Sequence, residues 1–236
     1  MTTVQDLGRY GYQSQGFSVA GVMDVRSFKI ANLLLDNPEN EAVLEITLIG
    51  PTLEFTSATI IAITGGDFQP TINGEPAPMY TALYMNKGDV LKFGSARTGS
   101  RGYIAFSSYL DIPVVMGSRC TNLKSGLGGF KGRKLEADDY IGFRIKRRYL
   151  PFFLSRKLDM DEFDQTEATL RVVMGPQDGM FSKQGIQTFL GSEYTVTNEF
   201  DRMGCRLEGP FIAPKENFGY YFPRNRIWGY TGTFPW

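Results

Sequence analysis

The chain has 236 residues, with 25 basic and 25 acidic side chains, two cysteines and no histidine. A formal charge of zero gives no field that favours nucleic acid or an anionic membrane, and the length suffices to bury a core in one large or two smaller domains. Without histidine, Ser-His and Cys-His pairs and HExxH zinc sites are excluded; Asp, Glu, Lys, Arg, Tyr, backbone amides, or a nucleotide with its Mg²⁺ must carry any chemistry.

The opening segment Met1 to Arg9 has no apolar signal region. No later stretch approaches the roughly 18 apolar residues of a membrane span, so a cytoplasmic protein is expected. Cys120 and Cys205 form no CxxC pair and read as free thiols.

In chain order, a helix is expected from about Val25 to Leu35, with Asp24 as its cap, Phe28, Ala31, Leu34 and Leu35 on one face, and Pro38 preventing continuation. Short strands follow at Val43 to Leu48, Thr52 to Phe55, Thr59 to Thr64, Phe68 to Ile72, Thr81 to Met85, Val90 to Phe93 and Tyr103 to Phe106. Asn73-Gly74 is a hairpin signal and Asn86-Lys-Gly-Asp89 another turn, a pattern that suggests a barrel or sandwich. Charge and proline rise over Lys146 to Pro151 and in the acidic stretch Asp159 to Glu167, which reads as a connector spanning about 151–168. Residues 1–150 form the expected first subdomain and 169–236 the second. The second holds a strand at Thr169 to Met174 and a helix near Phe181 to Leu190, with Gly191 just past its end. Leu48-Ile-Gly-Pro51 and Leu207-Glu-Gly-Pro210 each follow a helix and a strand, a faint internal repeat. The tail 215–236 is atypical: from Asn217 onward it holds both tryptophans and no acidic residue, as an aromatic strand, an interface patch or an out-of-frame tail would.

Several loops can carry chemistry. In the densest glycine cluster, Gly117 to Arg133, backbone amides could turn toward an anion balanced by Arg119, Lys124, Lys131 and Arg133, or the glycines could simply form tight β turns. It fits neither GxxxxGK[ST] nor GxGxxG. Gly94 to Arg101 has Walker-like glycine spacing but lacks the Lys-Ser/Thr, and reads as a hairpin loop. Thr64-Gly-Gly-Asp67 ends an apolar strand, so Asp67 sits at a strand tip, either functional or closing an Asx turn. Asp6 with Arg9, and Asp201 with Arg202 and Arg206, are candidate ion pairs, one set in each half. Cys120 lacks a base and is a poor nucleophile candidate. No Met-Lys-Met biotinylation site is present.

Taken in order, Thr3-Val-Gln-Asp-Leu-Gly-Arg9, Ala20-Gly-Val-Met-Asp24, Ala31-Asn32, Leu44-Glu45, Gly50-Pro51, Thr64-Gly-Gly-Asp67, Gly117-Ser-Arg119, Gly126-Leu-Gly-Gly129, Gly132-Arg133, Gly175-Pro-Gln177 and Asp201-Arg-Met-Gly204 resemble one family. It is the group of the C component of bacterial 5-oxoprolinase, also called allophanate hydrolase subunit 2, KipA-type or biotin-dependent carboxyltransferase-like. The match runs from Met1 to about Pro214.

The resemblance implies a mainly β protein with a few short helices, built as cyclophilin-like β-barrel subdomains in two related halves, the second incomplete. It implies work with an A component and a KipI-like B component of 5-oxoprolinase, opening the lactam of 5-oxoproline to glutamate with ATP and Mg²⁺ bound in the complex. Alternatively it implies carboxyl transfer from carboxybiotin, supplied in trans, to urea or a related amide, or regulatory binding of a KipI-type kinase inhibitor. No nucleic acid, membrane or metal partner is implied. On this reading Asp67, Arg119 and Arg133 are the catalytic candidates. Gly126, Gly128 and Gly129 bind substrate or nucleotide, and Asp6, Arg9, Asp201 and Arg202 shape a cleft between the halves. The family pattern usually has a strand ahead of Thr3 and more chain beyond the second half, so low stability of the isolated chain is an expectation. Cys120 replaces a usual Ser, and Ser107-Ser108 stand where glycines are commoner.

Overall fold

A computed structural model describes residues 1–159, 169, 171–176, 178–200, 204–212, 215 and 226–229. The chain divides into two compact units, Met1–Gln165 and Thr166–Trp236.

Unit 1 contains β1 (Thr2–Gln5), α1 (Val25–Leu34), β2 (Val43–Thr47), β3 (Thr52–Glu54), β4 (Thr59–Asp67), β5 (Thr71–Ile72), β6 (Glu75–Pro76), β7 (Ala82–Met85), β8 (Val90–Lys92) and β9 (Thr98–Phe106). They form two antiparallel sheets, ordered β1-β2-β9-β4-β7 and β3-β8-β5-β6, whose ladders are not joined into a closed ring. The fold is mainly β, as the sequence predicts.

The five-stranded sheet is covered on both sides, which is why Ile60-Ile-Ala-Ile63 is continuously apolar rather than alternating. Leu44, Ile46, Ile61, Ile63, Ile104 and Phe106 face one way, into a core shared with Leu91 and Leu53 of the smaller sheet. Val43, Ile60, Ala62, Tyr103 and Ala105 face the other way, against Phe28, Ala31, Leu34 and Leu35. The period of two along each strand thus sends successive side chains to two different cores. Truncating a buried isoleucine such as Ile63 would cost about 2–5 kcal/mol.

Helix α1 begins where expected: the Asp24 carboxylate accepts from Ser27 N at 3.0 Å. At its other end, Arg156 donates to the carbonyls of Leu33 and Leu34. The Asn73-Gly74 turn joins β5 to β6 with both residues at positive φ, 52° and 93°, the geometry of a type I′ hairpin.

The structure departs from the sequence reading in definite places. Thr2–Gln5 is a strand, pairing with β2. Thr98–Arg101, expected in a loop, begin β9, and β4 runs on through Gly65, Gly66 and Asp67 with a register shift between Gly65 and Asp67. That shift is the β-bulge that two adjacent glycines permit. Residues 150–158 lie on unit 1: Leu150 is buried, Phe153 packs on the α1 core, and Lys157 bridges to Thr81.

Unit 2 contains α2 (Lys183–Gly191), capped by Ser182, and a three-stranded antiparallel sheet of β10 (Thr195–Phe200), β11 (Cys205–Glu208) and β12 (Arg226–Gly229). Gly191 is the last helical residue rather than the one beyond it, and no strand is found over 171–174. Of the aromatic tail, Arg226–Gly229 pair with β11; the rest lies outside the described residues. Gly50 and Gly209, the glycines of the repeated motif, each abut an aromatic ring, Phe93 and Tyr194, where a Cβ would collide. Close packing of backbone on a ring is thus a physical basis the two copies share. Among the described residues no helix is long and apolar enough to cross a membrane.

Candidate functional site

The expected site residues fall in three places. The first is a buried cluster behind the glycine-rich loop. Asp6, only 2% exposed, accepts hydrogen bonds from Gly8 N (2.9 Å), Ser118 Oγ (2.7 Å) and Arg119 N (2.6 Å). Arg9 is fully buried and donates from Nε to the Val115 carbonyl and from Nη2 to the Cys120 carbonyl, while its Nη1 has no hydrogen-bond partner among the described residues. Gly128 and Gly129 lie against the same turn, Gly129 N donating to the Arg119 carbonyl at 3.1 Å. A Cβ on Gly128 would meet Arg9 Nη2 at 2.6 Å, so only glycine lets the loop close over this guanidinium. Asp6, Arg9, Arg119, Gly128 and Gly129 are therefore brought together, and Arg9, with no exposed surface, acts as a brace on two loop carbonyls. The Arg119 side chain donates from Nε to Ile112 O at 3.0 Å. Burial pushes the neighbouring Cys120 thiol up from its ordinary pKa, which keeps it in the unreactive thiol form.

The second place is the outer edge of that loop. Arg133 binds Asp139 through two parallel hydrogen bonds of 2.7 Å, and Gly126 lies on an exposed turn closed by Asn122 and Leu127. The Asp139 carboxyl is pulled down to about 2, first by the Arg133 hydrogen bonds and then by the Glu136 backbone N–H.

The third place is the end of β4. Gly65 and Gly66, with Thr98, Gly99, Ser100 and Arg101 of β9, Met23, Asp24 and Ser27 of α1 and its cap, and Tyr80, line a cavity of about 360 Å³. Gly65 is at φ +90°, and its Cα faces the Arg101 carbonyl so closely that a Cβ could not be placed there. Tyr80 spans the bulge, its hydroxyl accepting from Gly65 N (2.9 Å) and donating to Gly65 O (3.1 Å). Asp67 stands one residue beyond this wall and accepts from Gln69 N at 2.7 Å, the Asx turn weighed for it from sequence.

Beneath the cavity, Glu45 is fully buried in a central strand. Its Oε2 accepts from Met23 N (2.8 Å) and from the Tyr103 hydroxyl (3.0 Å), which in turn accepts from Asp24 N (2.7 Å). Burial, reinforced by the Glu45 charge, raises the Tyr103 pKa, so its phenol stays protonated and donates. Arg101 Nε is buried without a hydrogen-bond partner, 4.0 Å from Glu45 Oε1, and Nη1 donates to the Ser100 carbonyl. The arrangement offers the Arg101 cation, several hydroxyls, the Asp24 carboxylate held by Ser27, and bare glycine backbone in one small concavity, suited to a small polar molecule with a carboxylate or amide.

Glu45, Tyr80, Arg101 and Tyr103 carry this site and were not singled out from the sequence as site residues. The available signal was Glu45, a lone charge in the apolar strand Val43-Leu-Glu-Ile46. Asp201 and Arg202 lie outside the described residues.

The chain is 33% identical over 215 residues to the C component of 5-oxoprolinase from Escherichia coli strain K12, covering 89% of this chain and 66% of that protein. It is 32% identical over 225 residues to the urea amidolyase of Lachancea kluyveri, covering 89% of this chain and 12% of that one. The crystal structure of the K. lactis urea amidolyase superposes with a TM-score of 0.75 at 31% identity, over 89% of this chain and 13% of that chain. The chain thus spans less than two thirds of each relative's length. A family model described as carboxyltransferase domain, subdomain A and B, matches residues 15–222, and the chain belongs to that family.

Proposed function

We propose that this chain is a component of an ATP-dependent complex that opens the lactam of 5-oxoproline to glutamate, and that the cavity at the end of β4 receives the lactam. The observation that carries the reading is Arg101: a guanidinium whose Nε, 4.0 Å from Glu45 Oε1, has no hydrogen-bond partner among the described residues, in a glycine-walled cavity of about 360 Å³. That volume is at the small end of ligand sites, about 300–1,000 Å³, and suits a five-membered lactam acid. Arg101 takes the substrate carboxylate, Glu45 and Tyr103 hold the lining residues Met23 and Asp24 through their backbone N–H groups, and the bare backbone of Gly66 and Gly99 lies against the ring. An unactivated lactam is a poor electrophile, so ATP with its Mg²⁺ supplies the activation of its oxygen. Arg119 and the Gly126 to Gly129 turn lie outside this cavity, and their part in the reaction is tested separately. The similarity to the Escherichia coli protein, by its name one component of 5-oxoprolinase, supports a complex of several components, for which A- and B-type partners are proposed.

The test is 5-oxoproline-dependent ATP hydrolysis in a complex reconstituted with the A and B components. Arg101→Ala should raise KM for 5-oxoproline at least tenfold, with partial rescue by Arg101→Lys, since a charged hydrogen-bonded contact contributes about 1.5–3 kcal/mol. An unchanged KM in Arg101→Ala would refute the assignment, and wild-type rates in Arg119→Ala would remove Arg119 from the site.

The similarity to urea amidolyases favours a second reading, carboxyl transfer from carboxybiotin in trans to urea or a related amide. A biotinylated protein that co-purifies with the chain on avidin blots, together with no oxoproline-dependent turnover, would select it.

A further inference from the structure

The segment 143–148 distributes its cations between two environments. Arg144 forms an ion pair with Glu41 at 2.6 Å and lies over the Tyr109 ring, and Arg147 pairs with Asp36 at 3.0 Å. Lys146 and Arg148 instead line a second cavity, of about 240 Å³, with Thr56, Ser57, Tyr140 and Phe143. No Asp or Glu lines this cavity, and neither Lys146 nor Arg148 has a carboxylate partner among the described residues. Of the nearby acids, Asp139 is held by Arg133, and Asp111 is exposed and adjoins Gly142 without itself lining the cavity. The cavity shares no residue with the one at the end of β4.

Two uncompensated cations and several hydroxyls, with no carboxylate, define the chemistry of the occupant. Hydroxyls and ammonium or guanidinium groups all donate, so the complement is a group rich in acceptor oxygens bearing about two negative charges, which a phosphate or diphosphate supplies. A space of about 240 Å³ is too small to enclose a whole nucleotide but admits a phosphate tail. The Tyr140 ring, 68% exposed beside it, offers a surface for an attached planar group.

We propose that this cavity binds the phosphate tail of a small phosphorylated ligand, between Lys146, Arg148 and the Thr56–Ser57 turn. The proposal goes beyond the lactam reading and does not rest on it: either site can fail alone.

Isothermal titration of the full chain with tripolyphosphate, ATP and inorganic phosphate tests it. Saturable binding of one tripolyphosphate is expected, weakened about tenfold by Lys146→Ala and by Arg148→Ala, each loss corresponding to one charged contact. Both side chains are exposed, so melting temperatures should not change. Lys87→Ala, on the exposed Asn86 to Asp89 turn, should bind as wild type. ATP binding tighter than tripolyphosphate identifies the ligand as a nucleotide; equal affinities identify the phosphate chain alone. Binding that does not saturate, or that Lys87→Ala weakens equally, overturns the proposal. Wild-type phosphate binding in an Arg101→Ala chain with impaired lactam turnover would show the two sites to be separate.

Discussion

Replacing Asp6 by alanine should be among the most damaging single changes in unit 1, and its cost can be worked from the contacts. The carboxylate receives three hydrogen bonds of 2.6–2.9 Å, from Gly8 N, Ser118 Oγ and Arg119 N, and so ties the end of β1 to the Ser118–Cys120 turn. Hydrogen bonds to a charged group contribute about 1.5–3 kcal/mol each, but removing the carboxylate also recovers several kcal/mol of its burial penalty. A net loss of about 2–4 kcal/mol is expected, a large part of a typical stability of about 5–15 kcal/mol. Asp6→Asn keeps the shape but must set an amide N–H against a donor: Gly8 N on one side or Arg119 N on the other. Ser118 cannot fully compensate, because its Oγ already accepts from Cys120 N. The asparagine variant should therefore fall between alanine and wild type. Both tryptophans belong to the Thr166–Trp236 unit, so unit 1 is best followed by far-UV circular dichroism in urea. A loss below about 1 kcal/mol for Asp6→Ala, or a larger loss for Asp6→Asn, would show that the three hydrogen bonds do not hold the Ser118–Cys120 turn to β1.

Gly65→Ala would place a methyl against the Arg101 carbonyl at a φ of +90°, and should cost about 2–3 kcal/mol, or roughly 4–12 °C in Tm; an unchanged Tm would contradict the close approach of β4 and β9. Asp139 should titrate near pH 2 by carbon NMR and move toward its ordinary 3.8 in Arg133→Ala. Because its folded pKa is depressed, the contribution of the pair is complete above about pH 4 and lost as pH falls through about 2; a wild-type midpoint at 3.8 would sever the link. Cys120 should resist iodoacetamide until the protein is unfolded, read site by site by mass spectrometry because Cys205 is also present; rapid native labelling at Cys120 would show that its burial does not control it.

Local chemistry settles within a few residues, and those features were legible in the sequence. Asp24 caps α1, Asn73-Gly74 turns a hairpin at positive φ, and apolar runs give the β class, because each depends on neighbours one to four positions away. The zero histidine count likewise removed whole classes of chemistry without reference to any fold. From the sequence, Arg119 and the Gly126 to Gly129 turn are expected beside Asp67 and Arg133, and Asp6 and Arg9 in a cleft with Asp201 and Arg202. The structure instead gathers Asp6, Arg9, Arg119 and the Gly128–Gly129 turn apart from Asp67 and Arg133, because pairing of the sheet and loops joins Asp6 to Arg119 across more than 100 positions.

Tertiary structure alone decided the cavity at the end of β4. Arg101 is expected in a loop from the sequence, but the Gly65–Asp67 bulge extends β4 along it in β9, and Glu45, expected only as a member of the Val43 to Leu48 strand, is buried because both faces of the sheet are covered. Neither is a local property: the bulge needs a partner strand, and the burial of Glu45 needs α1, Tyr103 and Met23 around it. The sequence specifies which groups are available for chemistry, and long-range pairing sets which of them share one small space.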